Sequence, residues 1–207
     1  MIEIKETCYK GTRILLGNEK QEYLQKCREY LKAEGFTEIQ IPYIQFAETF
    51  KGKVGEENNN MMYNFTDRGN RELCLPPEHT AVVQQLASTY FKDKKDVKLF
   101  YVAECFRGEK PQSGRYRQFT QLGVEILNPI KHHSVYLEKI AELLISGITK
   151  NYQISKDVTR GLDYYKDGKG FEISCEELGS SKQVCGGGEY EGGVGFAIGV
   201  DRLINLM

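Results

Sequence analysis

Three arginines, a lysine and a glutamate crowd one short connection. It reads Arg107-Gly108-Glu109-Lys110-Pro111-Gln112-Ser113-Gly114-Arg115-Tyr116-Arg117. Arginine offers a planar fork of donors that matches phosphate or carboxylate oxygens. The flanking residues 97–106 and 118–127 alternate with a period of two, so the connection is the tip of a hairpin. A basic loop on a rigid hairpin suits gripping a polyanion. The same alternation assigns faces. Gln121, Gly123 and Glu125 point one way and Leu122, Val124 and Ile126 the other. Leu99, Tyr101, Ala103, Cys105 and Arg107 share a face on the preceding strand. Such a face could hold an anion at Arg107 and a cation or donor near Gln121 and Glu125. Small Gly123 and Ala103 leave room above it. A solvated sheet face is the plainer reading of the same pattern.

The elements around this hairpin follow from periodicity and punctuation. Asn18 with Gln21 suits a capping box for a helix over 19–34, with Leu24, Cys27 and Leu31 on one face and Gly35 as the stop. Residues 36–44 read as a strand with Ile39 and Ile41 on one side, and Pro42 confines its end to an edge or an interface. Residues 51–61 read as a loop. Residues 63–65 and 72–75 read as a hairpin around Asp67-Arg68-Gly69-Asn70. Pro76-Pro77 is expected to open a helix reaching about residue 91. A helix over 134–149 should turn Leu137, Ile140, Ala141, Leu144 and Ile145 inward. Strands follow at 171–175, 183–186 and 195–200, then a helical turn from Asp201. Successive hairpins with few helices predict an α+β fold with a mostly antiparallel sheet, within a single domain over 1–207.

Composition narrows the function classes. The 207 residues carry 28 basic and 29 acidic side chains, a formal net charge of −1. No general electrostatic case for nucleic acid or membrane arises, so any polyanion site is local. No leader or membrane span is read in the sequence. The six scattered cysteines form no C-x-x-C pair, which favours reduced thiols and a cytoplasmic location over a disulfide framework or zinc site. His132 and His133 read as solvated residues before a helix.

The stretch 106–125 resembles motif 2 of class II aminoacyl-tRNA synthetases, and specifically of the histidyl-tRNA synthetase family. Arg160-Gly161-Leu162-Asp163-Tyr164-Tyr165 resembles that family's histidine-specific signature. Val184-Cys185-Gly186-Gly187-Gly188-Glu189-Tyr190 is similar to its glycine-rich strand, and residues 195–203 to motif 3. Residues 35–42 resemble motif 1, and Pro77-Glu78-His79-Thr80-Ala81 the amino-acid-binding loop. Six matches in family order are far more specific than any one glycine-rich match. The resemblance implies a class II synthetase-like antiparallel sheet flanked by helices and a homodimer formed through 36–50. It implies ATP and Mg²⁺ as cofactors, histidine as substrate and the tRNA acceptor end as a possible partner. It gives Arg107 and Arg160 the catalytic grip on the α-phosphate, with no protein metal ligand. Glu109 and Arg115 fall at the adenine or phosphate end of ATP, and Arg202 at the γ-phosphate. Glu78 and Thr80, with Gln121 nearby, would accept the α-ammonium group. Glu125 and Tyr165 would bracket the imidazole beside Tyr164. Gly186, Gly187 and Gly188 would let substrate lie against the backbone.

The chain also departs from the family. Only 34 residues separate Glu125 from Arg160, leaving no room for the usual helical insertion, and Arg202 lies five residues from the end of the sequence, so no C-terminal anticodon-binding domain is expected. His79 stands where the family's loop has glycine. Two other readings fit the resemblance: a non-catalytic histidine-binding regulatory paralogue of ATP phosphoribosyltransferase, and aminoacyl transfer to a non-tRNA acceptor. Retention of Arg107, Arg160 and Arg202 favours the enzyme over the regulatory subunit.

Overall fold

The computed structural model describes residues 2–4, 8–112, 114–159, 161–162, 164–179 and 182–207. Its elements in chain order are β1 (Ile2–Ile4), β2 (Ile14–Leu16), α1 (Glu19–Ala33), β3 (Thr37–Glu38), β4 (Gln45–Phe46), α2 (Gly55–Asn60), β5 (Tyr63–Thr66), β6 (Glu72–Leu75) and α3 (Thr80–Ser88). There follow β7 (Val97–Phe106), β8 (Gln118–Leu127), α4 (Ser134–Ser146), β9 (Gln153–Val158), β10 (Tyr165–Ser174), β11 (Gln183–Tyr190), β12 (Gly193–Gly199) and α5 (Val200–Ile204).

The main sheet has seven strands in the order β3-β7-β8-β12-β11-β10-β9. Only the β3–β7 pair is parallel among them. The predicted α+β class with a mostly antiparallel sheet is therefore observed. One sheet face carries Leu122, Val124, Ile126, Phe196 and Ile198, all fully buried. They pack with Leu24, Cys27 and Leu31 of α1, the inward stripe of α4 and Leu203 of α5. At about 25 cal/mol per Å² this apolar layer is the main stabilising term. The opposite face carries a second cluster that includes Val83 and Ala87 of α3 with Leu99, Tyr101 and Tyr190.

Several expected elements take a different form. Asn18 makes no side-chain cap, and its carbonyl only accepts Glu22 N–H at 2.8 Å. Helix α1 does stop at Gly35, φ +83°, where Phe36 N–H bonds to Leu31 O and Gly35 N–H to Lys32 O. The strand expected over 36–44 shrinks to β3, because Pro42 removes a ladder donor and the chain leaves for a small second sheet, β4-β6-β5. Residues 51–61 contain helix α2 and are not all loop. Strand β9 and the β1–β2 hairpin were not expected, and β10 begins six residues earlier than the sequence reading placed it.

Pro76-Pro77 does not open a helix. Because β3 pairs with β7 only at Leu99 and Phe100, the rest of that edge of β7 needs other partners. The segment 76–79 supplies them. Phe106 N–H donates to Pro76 O, and His79 Nε2–H donates to Glu104 O, each at 2.9 Å. The helix then starts at Thr80, where Glu78 accepts Thr80 N–H at 2.7 Å and Ala81 N–H at 3.0 Å. His133 is also not solvated: it is buried, 2.9 Å from Asp96. No helix of the described residues is long and apolar enough to cross a membrane.

Candidate active site

The β7–β8 hairpin, α3 and the β11–β12–α5 corner close around a cavity of about 360 Å³. Strand register builds its floor. Gly123 faces Ala197, Ala197 faces Gly186, and Gly186 faces Glu172, so three small residues lie in one line across four strands. Tyr101, opposite Gly123, stands at one end of the row and Glu172 at the other.

Basic groups gather at the hairpin-tip end. Arg107, Arg115 and Arg202 all line the cavity. Arg107 is held by its Nε–H on Pro77 O at 2.8 Å and by stacking over Phe119. Arg202 donates to Gly114 O at 3.0 Å and Gln183 O at 2.6 Å. Burial lowers its pKa, and the nearby Arg115 and Arg107 charges add to this while Glu109 opposes it. Three guanidinium groups sharing one wall form a site that an anion relieves. Glu109 sits 3.9 Å from Arg115, and its Oε2 is buried with no hydrogen-bond partner among the described residues.

Behind the arginines, Asp201 holds two chain segments together. It accepts Arg13 Nη2 at 2.8 Å, Lys20 Nζ at 3.0 Å and Thr120 N–H at 2.5 Å. Burial raises its pKa, but Lys20, the Thr120 amide and Arg13 outweigh this and hold it below the ordinary carboxylate value. The Arg13 guanidinium also lies 3.7 Å over the Tyr116 ring, tying the hairpin tip to α5.

Acceptors line the same cavity, beginning next to Arg107. Glu78, Thr80, Gln121, Tyr164, Tyr165 and Gly186 line the cavity as the sequence suggested. Burial raises Glu78, whose carboxylate also takes Tyr164 Oη–H at 3.0 Å. Gln121 Oε1 is engaged inward, accepting Tyr101 Oη–H at 3.2 Å and Cys105 Sγ–H at 3.4 Å.

Two expected contacts are placed differently. Glu125 is fully buried and does not line the cavity. Its oxygens accept Thr80 Oγ1–H at 2.9 Å and Tyr190 Oη–H at 2.8 Å, so it stands behind Thr80. Burial raises its carboxyl to about 8. Gly187 faces the core, where a Cβ would meet Gly195 O at 2.6 Å and the Phe171 ring at 2.7 Å; strand parity turns it away from the cavity that Gly186 lines. The room expected above Gly123 is filled by the Tyr101 ring, with which a Cβ there would collide. Arg160 lies outside the described residues.

The sequence reading missed Glu172, Ala197, Cys185, Asp201 and the α2 residues Glu57 and Asn58, which also line the cavity. The register row Gly123–Ala197–Gly186–Glu172 is the signal that finds Ala197 and Glu172, and it needs the pairing of strands far apart in sequence.

The histidyl-tRNA synthetase family profile matches residues 18–148. This chain belongs to that family. Among curated relatives, a histidine–tRNA ligase of Clostridioides difficile is 27% identical, with 94% of this chain and 73% of the relative covered. That alignment runs over 307 positions but takes in only 94% of the chain's 207 residues, so more than 100 internal positions of the relative have no counterpart in this family member. Among solved structures, apo Staphylococcus aureus histidyl-tRNA synthetase superposes with TM-score 0.72 at 25% identity, covering all of this chain and 70% of that one. A Bacillus halodurans protein described as an ATP phosphoribosyltransferase regulatory subunit/histidyl-tRNA synthetase superposes with TM-score 0.78, covering 99% of this chain and 84% of that one. Its 14% identity speaks to the shared synthetase fold alone.

Proposed function

We infer that this family member activates histidine with ATP and passes it to tRNA. The histidine carboxylate attacks the α-phosphorus, the bond to the leaving pyrophosphate breaks, and histidyl-adenylate forms. In the second step the 3′-terminal hydroxyl of tRNA attacks the activated carbonyl and AMP leaves. The observation that carries this reading is one cavity lined both by Arg107, Arg115 and Arg202 and by Glu78 with Thr80, with Arg107 beside the Glu78 segment. That set fits a triphosphate and an α-ammonium group bound next to each other, with the α-phosphate and carboxylate meeting at Arg107.

No protein nucleophile is needed. The chain positions two substrates and meets developing charge with fixed donors. Arg107 is the donor for the α-phosphate and reacting carboxylate, with Arg115 and Arg202 toward the leaving pyrophosphate. Arg160 shares the α-phosphate role on the strength of the sequence resemblance. Magnesium bound with ATP would supply charge neutralisation, and Glu109 fits it by donor type, since its buried Oε2 takes no hydrogen bond among the described residues and lies 3.9 Å from Arg115. Glu78 accepts the ammonium group, and Tyr164 and Tyr165, 4.7 Å apart, wall the side-chain end. Glu125 serves through Thr80, lending it acceptor strength without touching substrate.

The unit is cytoplasmic and homodimeric in this reading, with residues 1–207 as one catalytic domain. Within 36–50 the end residues Phe36 and Phe50 are buried, while Tyr43, Ile44 and Phe46 are exposed, beside exposed Phe65. Such a contiguous apolar patch suits a second copy. The transfer step is tested by charging a histidine tRNA transcript with labelled histidine. Acid-precipitable label is expected. Adenylate formation without charging would assign a different acyl acceptor.

A further inference from the structure

His79 departs from the glycine of the matching loop, and its surroundings say what the ring does. It is fully buried and does not line the active-site cavity. Its Nε2–H is spent on Glu104 O, which leaves Nδ1 bare, buried and without a partner among the described residues. An unpartnered buried ring nitrogen is a standing cost that a smaller apolar residue would remove. Burial lowers the ring pKa to about 4, so it is neutral near pH 7 and acts by shape, not charge.

The ring meets Tyr101 edge-on, centroids 5.4 Å apart at 63°. Tyr101 in turn lies over Gly123, filling the space that a Cβ there would need. Its hydroxyl then reaches Gln121 Oε1, on the cavity wall. Neighbouring floor positions are closed in the same way, by Tyr190 over Gly193 and by the Glu125 carboxylate against Gly195. The layer directly behind the cavity wall at Gln121 and Thr80 is therefore filled by side chains stacked on glycines, and His79 is the residue that backs the first of them.

We propose that His79 is a specificity-setting positioning residue: it wedges Tyr101 across Gly123, and so limits the substrate to an amino acid whose side chain is no larger than an unsubstituted imidazole. This rests on the amino-acid-activation reading. Removing the ring opens buried volume behind Tyr101, letting it withdraw from Gly123 and lengthening the pocket beside Gln121. One methyl group in an apolar pocket discriminates about 10–200-fold, so the change is large enough to measure.

The test compares dissociation constants for histidine and ring-N-methylated histidine by calorimetry, on the full chain. The proteins are wild type, His79→Gly and Tyr101→Phe, with thermal melts as a folding check. His79→Asn is the second variant should His79→Gly fail to fold, since it can still donate to Glu104 O but lacks the ring. Wild type should prefer histidine by about tenfold or more, and loss of the ring should reduce that preference by at least about tenfold. Tyr101→Phe keeps the wedge and loses the Gln121 bond, so it should weaken both ligands and keep their ratio. A preference in the ring-less variants within about threefold of wild type overturns the wedge. ATP–pyrophosphate exchange run in parallel separates the two claims. Absence of exchange with every amino acid, alongside a shifted binding ratio, refutes activation and supports the wedge. Exchange with an unshifted ratio refutes the wedge alone.

Discussion

Replacing Glu125 by Gln should remove the pH dependence that this one carboxyl imposes on stability. Glu125 is fully buried, and among the described residues its two oxygens meet the Thr80 and Tyr190 hydroxyls and no cation pairs with it. Burial raises its carboxyl from 4.5 to about 8, the nearby Glu78 charge adds to the rise, and the two hydrogen bonds oppose it. The sign follows from linkage. A carboxyl whose folded pKa is raised contributes stability that is fully present below about 4.5 and is lost as pH rises through about 8. At about 1.4 kcal/mol per unit, the loss is on the order of 5 kcal/mol. Gln keeps both hydroxyl partners, since its carbonyl accepts one hydroxyl and its amide donates to the other, and it does not titrate. The assay is urea unfolding of both proteins at pH 5, 6.5 and 8.5. The difference between them cancels other titrating groups to first order. The variant should gain on wild type by several kcal/mol between pH 5 and 8.5. A difference constant to within about 1 kcal/mol would refute the placement of Glu125 in a cation-free, buried site. In the same preparations the variant should bind histidine more weakly at pH 8.5, because Thr80 loses its ionisable support.

Other outcomes follow from single contacts. Arg202→Ala and Arg160→Ala should each slow adenylation by about 10²–10³-fold while changing histidine binding little; normal turnover in either would remove that arginine from the phosphate grip. Asp201→Asn weakens its pairing with Arg13 and Lys20 beside the Thr120 amide, and unfolding should cost about 3–5 kcal/mol less at pH 7; an unchanged urea midpoint would show that the network is not stabilising. Ile44→Asp with Phe46→Asp should convert a dimer to a monomer in light scattering, and a monomeric wild type would instead leave the exposed patch without a second copy to cover it.

Local chemistry told much of the site in advance. The period-two faces of β7 and β8 put Leu122, Val124 and Ile126 in the core and Arg107 and Gln121 on the cavity side, although Leu99, Tyr101 and Ala103 on that second face form a core of their own; the Asp67–Asn70 turn and Gly35 stop followed from side-chain and backbone preference alone. What escaped was set by long-range register. Pro76-Pro77 looked like a helix start because proline tolerates that position, but an unpaired edge of β7 captured the segment first. Gly123 looked like open space because a sequence cannot show that Tyr101 fills it. Glu125 shares its strand face with Gln121 as read, but Thr80 and Tyr190 come from residues 45 and 65 positions away and cover it. Gly187 was grouped with its neighbours by the resemblance to a glycine-rich strand, while parity turns it to the core.

ATP–pyrophosphate exchange, measured with each of the twenty amino acids in turn, tests the central claim most directly. It reads adenylation alone, independent of any acceptor. Exchange should appear with histidine, require magnesium, and collapse in Arg107→Ala. No exchange with any amino acid, or exchange driven by one other than histidine, would contradict the account.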